Sequence, residues 1–210
     1  MIRSVMFDFG GVITDSPFDA FQRYEEAAGL PVGAIRTINS TNPHDNAWAK
    51  LERGDVGMSE FSLLFEAEAR TLGYQVDAAV VMAGLVGDVR PAMVEAVRRC
   101  AERFKTACLT NNFLLERAVD VAADRPDIAE IYALFDLVLE SSKVGVRKPD
   151  PRFYEMACEA LSVAPSEVVY LDDLGINLKP ARAMGMHTIK VTAPDVAIEE
   201  LSSVLGIPLA

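Results

Sequence analysis

Four short segments of the chain carry the residues that could do chemistry. Asp8 closes the apolar run Val5-Met6-Phe7 and is followed at once by Phe9-Gly10-Gly11. Thr110-Asn111-Asn112 closes a second apolar run, and Lys143 and Gly145-Val146-Arg147-Lys148-Pro149-Asp150 follow a third. Asp172-Asp173 closes a fourth. Together they offer three carboxylates, a hydroxyl, backbone N–H groups and an ammonium. Hard oxygen ligands of this kind suit Mg²⁺, which is commonly held by one or two carboxylates together with phosphate oxygens. Thr110, the Asn111 amide and a lysine would then grip the remaining phosphoryl oxygens. Taken singly, each residue has an ordinary structural use: Asp8 as a turn former, one of Asp172 and Asp173 as a helix cap, a lysine as solvated surface. The weight lies in their convergence. Ligands of an open parallel sheet bind at the carboxyl ends of its strands, and all four segments fall there.

The elements that must position them follow from the apolar rhythm. Residues 5–7, 106–110, 135–139, 168–171 and 188–191 read as strands, and 93–104, 114–123, 151–161, 176–184 and 196–205 as helices. Pro151 suits a first helical turn, and Gly185 closes the fourth helix. Short apolar strands alternating with helices imply a parallel sheet covered on both faces. Between Pro17 and Gly87 the pattern is helical instead. Phe18, Phe21 and Tyr24 share one face, Trp48 and Leu51 another, and Phe61, Leu64, Phe65 and Leu72 a third. The expected fold is α/β: a Rossmann-like, doubly wound parallel sheet core built from residues 1–16 and 88–210. An all-helical cap over 17–87 interrupts it.

Composition narrows the function classes. Half of the 210 residues are hydrophobic, and the formal charge is 20 − 31 = −11. Such an acidic chain lacks the clustered Lys and Arg that a nucleic-acid backbone demands. A small phosphorylated ligand needs only a local positive site or a metal ion. Cys100, Cys108 and Cys158 are odd in number without C-x-x-C spacing, which reads as buried reduced thiols. No stretch approaches the roughly 18 apolar residues of a membrane span, and the opening residues lack a signal-peptide pattern. A cytoplasmic monomer or homodimer is the expectation. Arg98, Arg99 and Arg103 read as a solvated face, and His187 as structural.

The quoted segments resemble those of the haloacid dehalogenase superfamily of hydrolases, in the group with a helical cap after the first motif. The resemblance rests on F-D-F-G-G-V-I-T-D-S (7–16), L-T-N-N (109–112), V-G-V-R-K-P-D-P-R-F-Y (144–154) and V-Y-L-D-D-L-G-I-N-L-K-P-A (169–181), in the family's order. W-A-K-L-E-R-G-D-V (48–56) is typical of the cap. The wording is similar to that of phosphatase-like proteins related to the N-terminal domain of soluble epoxide hydrolase. By that resemblance Asp8 is a nucleophile that forms an aspartyl-phosphate. A carboxylate suits the role because it is ionised at neutral pH without a base. The resemblance further implies Mg²⁺ held by Asp8, the Gly10 carbonyl and Asp173, with Asp172 beside the ion or reaching it through water. Thr110 and Asn111 would bind phosphoryl oxygens, and Lys148 would neutralise charge on Asp8 and the phosphate.

One position departs from that pattern. The family's phosphatases usually carry a second Asp two residues after the nucleophile, to protonate the leaving alcohol and then activate water; here it is Gly10. A positioned acid or base is commonly worth about 10²–10⁴ in rate. Three readings follow: a slower or more selective phosphatase, a metal-independent dehalogenase, or a binding protein without turnover. The retained Asp172-Asp173 pair favours metal and phosphate over the dehalogenase. Asp15, His44 and Asp45 are candidates to replace the missing acid.

Overall fold

The computed structural model describes residues 1–85, 87–113 and 126–209. Five strands form one sheet: β1 Ser4–Phe7, β2 Lys105–Thr110, β3 Leu137–Glu140, β4 Val168–Asp172 and β5 His187–Lys190. Their order is β3-β2-β1-β4-β5, and every pairing is parallel. All of β1 is buried, with Phe7 level with Cys108 on one side and Leu171 on the other. A strand covered on both faces has no solvated side to alternate toward, which is why β1 reads as an unbroken apolar run. From β1 the chain moves out to β2 and β3, then returns across β1 to β4 and β5. The order therefore reverses at the β1–β4 pair, and such a switch point opens a crevice at the carboxyl ends of the strands. Asp8 and Asp172 stand on its two sides.

Helices cover both faces of the sheet. Met93, Val97, Ile128, Ile131, Ile198 and Leu201, from helices Pro91–Ala101, Pro126–Tyr132 and Pro194–Leu205, pack on one face. Phe153, Tyr154, Leu161, Leu178 and Ala181, from helices Pro151–Leu161 and Gly175–Ala183, pack on the other. The doubly wound parallel architecture expected from the sequence is the one observed.

Between β1 and Pro91–Ala101 lie helices Pro17–Ala28, Ala34–Ser40, Ala47–Glu52, Met58–Thr71 and Ala78–Ala83. They share a third apolar cluster containing Phe21, Ile35, Ile38, Leu51, Phe61, Phe65 and Val81. The Trp48 ring packs edge-on or tilted against Phe21, Phe61 and Phe65 with centroids 5.4–5.9 Å apart. Leu72 departs from its expected place on the Phe61–Phe65 face: it caps the helix and is exposed, and the buried stripe ends at Ala69. The two chain crossings run side by side. Asp15 N–H donates to the Asp88 carbonyl at 2.9 Å, Arg90 N–H donates to the Ile13 carbonyl at 2.8 Å, and Thr14 bridges Val89.

Two further differences have physical causes. β3 begins at Leu137, not at 135, because Phe135 packs edge-on against Phe7 and the Asp136 carboxylate accepts the Thr106 N–H at 2.8 Å. Helix Pro126–Tyr132 is not among the helices expected from sequence, whereas the expected helix over 114–123 lies outside the described residues. The three cysteines are free and buried; burial pushes the Cys100 thiol up to about 12 and Cys158 up to about 11, so neither is a nucleophile at neutral pH. Among the described residues no helix is long and apolar enough to cross a membrane.

Candidate active site

The centre of the crevice is a buried ion cluster organised around Lys148. Its ammonium, 1% exposed, donates to Asp8 Oδ1 at 2.7 Å, Asp172 Oδ2 at 3.0 Å and the Leu109 carbonyl at 2.8 Å. It thus uses all three donors and joins the ends of β1, β2 and β4. Burial alone would lower its pKa, but the charges of Asp172 and Asp8 outweigh that and hold Lys148 above its ordinary value. Lys143, the other lysine of the segment, is exposed and pairs with Glu140. The loop's two lysines therefore have separate uses.

Each carboxylate has a different setting. Asp8 directly continues β1, its N–H donating to the Leu171 carbonyl at 2.8 Å, while its Oδ1 accepts the Phe9 N–H at 2.6 Å. Burial drives its pKa well above the usual carboxylate range; Lys148 opposes the rise, and the like charges of Asp172 and Asp173 add to it. Asp172 is fully buried, and both its oxygens are occupied. Leu174 N–H donates to Oδ1 at 2.8 Å, the Asn177 amide donates to both oxygens at 3.1 Å, and Lys148 and the Tyr170 hydroxyl donate to Oδ2. Asp173 is only partly buried, yet burial and the neighbouring Asp172 charge push its pKa up to about 6.

The grips expected for phosphoryl oxygens are close by. Thr110 ends β2 beside Asp8 and is 6% exposed. The Asn111 side chain faces the other way. Its Nδ2 donates to the Lys148 carbonyl at 3.0 Å and to Glu52 Oε2 at 3.2 Å, and its Oδ1 accepts the Lys148 N–H at 2.9 Å. That amide is spent on holding the lysine loop. Asn112 is held by Ser141 and Ser142, whose hydroxyls meet its N–H at 3.0 Å and its Oδ1 at 2.8 Å.

Gly10 and Gly11 differ sharply. A Cβ at Gly10 would meet nothing within 4 Å. Gly11 has φ +74°, and a Cβ there would lie 2.3 Å from Asp173 Oδ2, so only glycine lets that carboxylate sit against the turn. Gly11→Ala should lower the melting temperature by several degrees, on the order of 1–3 kcal/mol of backbone strain. It should also shrink any thermal shift that added Mg²⁺ produces. Calorimetry with and without the ion checks both; an unchanged shift contradicts the placement of Asp173.

Among the other residues singled out, Asp15 pairs with Arg90 at 3.2 Å, Asp45 with Lys50 at 3.7 Å, and His44 is exposed. His187 opens β5, at the end of the sheet opposite the cluster, and is exposed. Arg98 and Arg99 pair with Glu95. Among the residues at the site that escape sequence reasoning are Glu52, Arg147, Tyr170 and Asn177. Tyr170 shows only as an apolar strand residue, and Glu52 as the end of an amphipathic helix.

Whether a metal ion suits this set can be tested on its charges. Oxygens of Asp8, Asp172 and Asp173 lie within 4.8 Å of one another. Among the described residues only the Lys148 ammonium pairs directly with this group of three carboxylates, with the Arg90 guanidinium on the Asp173 side, so the cluster carries excess negative charge. Burial raises the Asp8 and Asp173 pKa values and the crowding of like charge adds to the rise; a divalent cation with hard oxygen ligands suits such a set.

Comparison with known proteins agrees with this geometry. Residues 2–185 match the family model for haloacid dehalogenase-like hydrolases. The chain is a haloacid dehalogenase-like hydrolase. This hydrolase is 31% identical over 216 residues to phosphatase MT3486 of Mycobacterium tuberculosis, covering 96% of this chain and 94% of that protein. It is 35% identical over 214 residues to mouse acyl-CoA dehydrogenase family member 10 and 31% over 224 residues to pig bifunctional epoxide hydrolase 2. Each of these matches takes in 99% of the present chain, which spans only 19% and 40% of those relatives' lengths. Two solved structures share the fold. A predicted HAD-like family hydrolase from Porphyromonas gingivalis has a TM-score of 0.72 at 21% identity, covering 98% of each chain. BT-2542 from Bacteroides thetaiotaomicron, in complex with magnesium and inorganic phosphate, has a TM-score of 0.59 at 19% identity, covering 90% of this chain and 94% of that one.

Proposed function

We propose that this hydrolase is a Mg²⁺-dependent phosphatase acting on a small phosphorylated substrate through an aspartyl-phosphate on Asp8. The observation that carries the reading is the Asp8–Lys148–Asp172 ion cluster, with Asp173 beside it, at the switch point of the sheet. The ion fits Asp8, Asp173 and the Gly10 carbonyl, whereas Asp172, its oxygens already bonded, serves beside it by holding Lys148. Bound there, Mg²⁺ supplies charge neutralisation for the carboxylates and the transferring phosphoryl oxygens. The relative from M. tuberculosis named as a phosphatase, and the neighbour solved with magnesium and phosphate, support the same chemistry.

In the first half-reaction an Asp8 carboxylate oxygen forms a bond to phosphorus while the bond from phosphorus to the leaving oxygen breaks. Lys148 fixes the orientation of Asp8 and stabilises negative charge as it moves to the phosphoryl oxygens. Thr110 Oγ1 and backbone N–H groups of the Thr110–Asn111 turn hold those oxygens. In the second half-reaction a water oxygen bonds to phosphorus as the bond from phosphorus to the Asp8 oxygen breaks. This regenerates the Asp8 carboxylate and releases inorganic phosphate, the proton of the water passing to the phosphate or to solvent. With glycine at position 10 no side chain there donates the proton to the leaving oxygen, so acyl, anomeric or aryl phosphates, which depart without one, are the favoured class. We propose that the helical block over 17–87 acts as a cap on a core of 1–16 and 88–210, selecting among them by shape. The crossings at 13–15 and 88–90 serve as its hinges. A cytoplasmic setting, with the three thiols reduced, belongs to the same reading.

The test is phosphate release from p-nitrophenyl phosphate and from an acyl phosphate, each with Mg²⁺ and with EDTA. Metal-dependent release supports the proposal, and equal rates in EDTA contradict it. Absence of turnover over a broad phosphate panel, with phosphate binding intact, would make the chain a binding protein. The open space at Gly10 adds a sharper expectation. Gly10→Asp should fold as the wild type does and raise turnover of alkyl phosphates by about 10-fold or more, within the range of a positioned acid. A fall with aryl phosphates would show that the space itself is used.

A further inference from the structure

Glu52, at the end of helix Ala47–Glu52, is only 8% exposed although it lies in the helical block rather than among the strands. A buried carboxylate needs partners, and those of Glu52 lie on two different segments of the site. Its Oε2 accepts the Asn111 amide at 3.2 Å and an Arg147 guanidinium N–H, and its Oε1 accepts the Trp48 indole N–H at 3.0 Å. Asn111 in turn brackets the backbone of Lys148 through both its N–H and its carbonyl. Arg147, the residue before Lys148, also donates to the Pro43 carbonyl at 2.9 Å. Just past Glu52, Gly54 has φ +72° and approaches Ser142 so closely that a Cβ would lie 2.8 Å from the Ser142 carbonyl. Ser142, together with Ser141, holds Asn112.

We infer that Glu52 is a positioning residue for Lys148. It reaches no reacting atom. It ties the helical block to Asn111 and Arg147, the two neighbours that fix the Lys148 backbone, and so sets the ammonium against Asp8. Seating of the helices and alignment of the charged cluster are thereby one event. The inference rests on the phosphatase reading for its kinetic consequence but not for its structural one, so two readouts separate them.

The first readout is residue-resolved amide exchange in the metal-free full chain. In Glu52→Ala the Lys148 amide should exchange at least about 10-fold faster, while amides of β1 keep wild-type protection. The second is steady-state kinetics with p-nitrophenyl phosphate and Mg²⁺. Here kcat should fall about 10–100-fold with KM changed less than about 3-fold, and Glu52→Gln, which keeps one acceptor oxygen of the two, should recover part of the loss. A purely structural role would speed exchange throughout the fold rather than at Lys148, and lower the amount of folded protein without changing kcat per folded molecule. Unchanged Lys148 exchange overturns the inference. Faster exchange in a protein whose wild type releases no phosphate supports the positioning role and removes the phosphatase reading instead.

Discussion

Lys148→Met is expected to lower phosphate release by at least about 10³-fold and to destabilise the fold by about 3–5 kcal/mol, the usual cost of stripping the partner from a buried charge. The geometry explains why one side chain carries both effects. The ammonium is the positive charge between Asp8 and Asp172, and it also satisfies the Leu109 carbonyl at the end of β2. Removing it leaves two carboxylates facing each other in a dry crevice. The two effects separate in the double variant Lys148→Met/Asp172→Asn. Relieved of one charge, that protein should recover much of the lost stability yet remain inactive. Urea denaturation alongside kinetics reads both. Activity in the double variant within about 10-fold of wild type would show that Lys148 serves the fold alone.

Asp8→Asn should have the opposite stability signature with a comparable or greater loss of activity. The carboxylate is the proposed nucleophile, so turnover should drop below about one-thousandth of wild type. Stability is set by the sign of the pKa shift. In the metal-free fold, burial raises Asp8 well above its ordinary value, so between those two values the folded state binds more protons than the unfolded chain. Stability contributed there is complete at low pH and is lost as pH rises through the folded value. The amide escapes that loss. In EDTA at pH 7.5 Asp8→Asn should therefore melt a few degrees above wild type, and the difference should vanish near pH 4. With Asp8 as the proposed Mg²⁺ ligand, saturating Mg²⁺ should reverse the order, because an ion stabilises most the protein that keeps all its ligands. A variant less stable than wild type in EDTA at every pH would contradict the uncompensated-charge account.

These expectations rest on a site that the sequence showed unevenly. The strand-end acids were legible because β1 and β4 are short apolar runs that stop on a carboxylate, and the switch-point rule brings such ends together. What the pattern left open was which neighbour does what. Asp172 and Asp173 look alike in sequence, yet one is enclosed by donors from Leu174, Asn177, Tyr170 and Lys148 and the other is partly buried against Gly11. Lys143 and Lys148 likewise share a loop, and only three-dimensional placement puts one into the cluster. The Asn111 side chain was read as a phosphate grip, but its amide is bonded to the backbone of Lys148. Glu52 was invisible as a site residue for a simple reason. Its partners on the strand-end segments are 59 and 95 residues away, and a glutamate ending an amphipathic helix ordinarily faces water. The apolar residues Phe135 and Leu72 misled in the same way, since an apolar side chain announces burial without saying on which element or whether the helix has already ended.

The central claim is that phosphorus becomes bonded to Asp8. It is tested by mixing the Mg²⁺-loaded protein with excess p-nitrophenyl phosphate, quenching in acid during the first turnovers and mapping the phosphorylated peptide by mass spectrometry. With no acid–base side chain at position 10 to speed the attack of water, the intermediate should accumulate. The phosphoryl group should be found on Asp8 in the peptide containing Phe7–Gly11, and be absent from Asp8→Asn. Phosphate on another residue, or continued turnover by Asp8→Asn with no protein-bound phosphate, would contradict it.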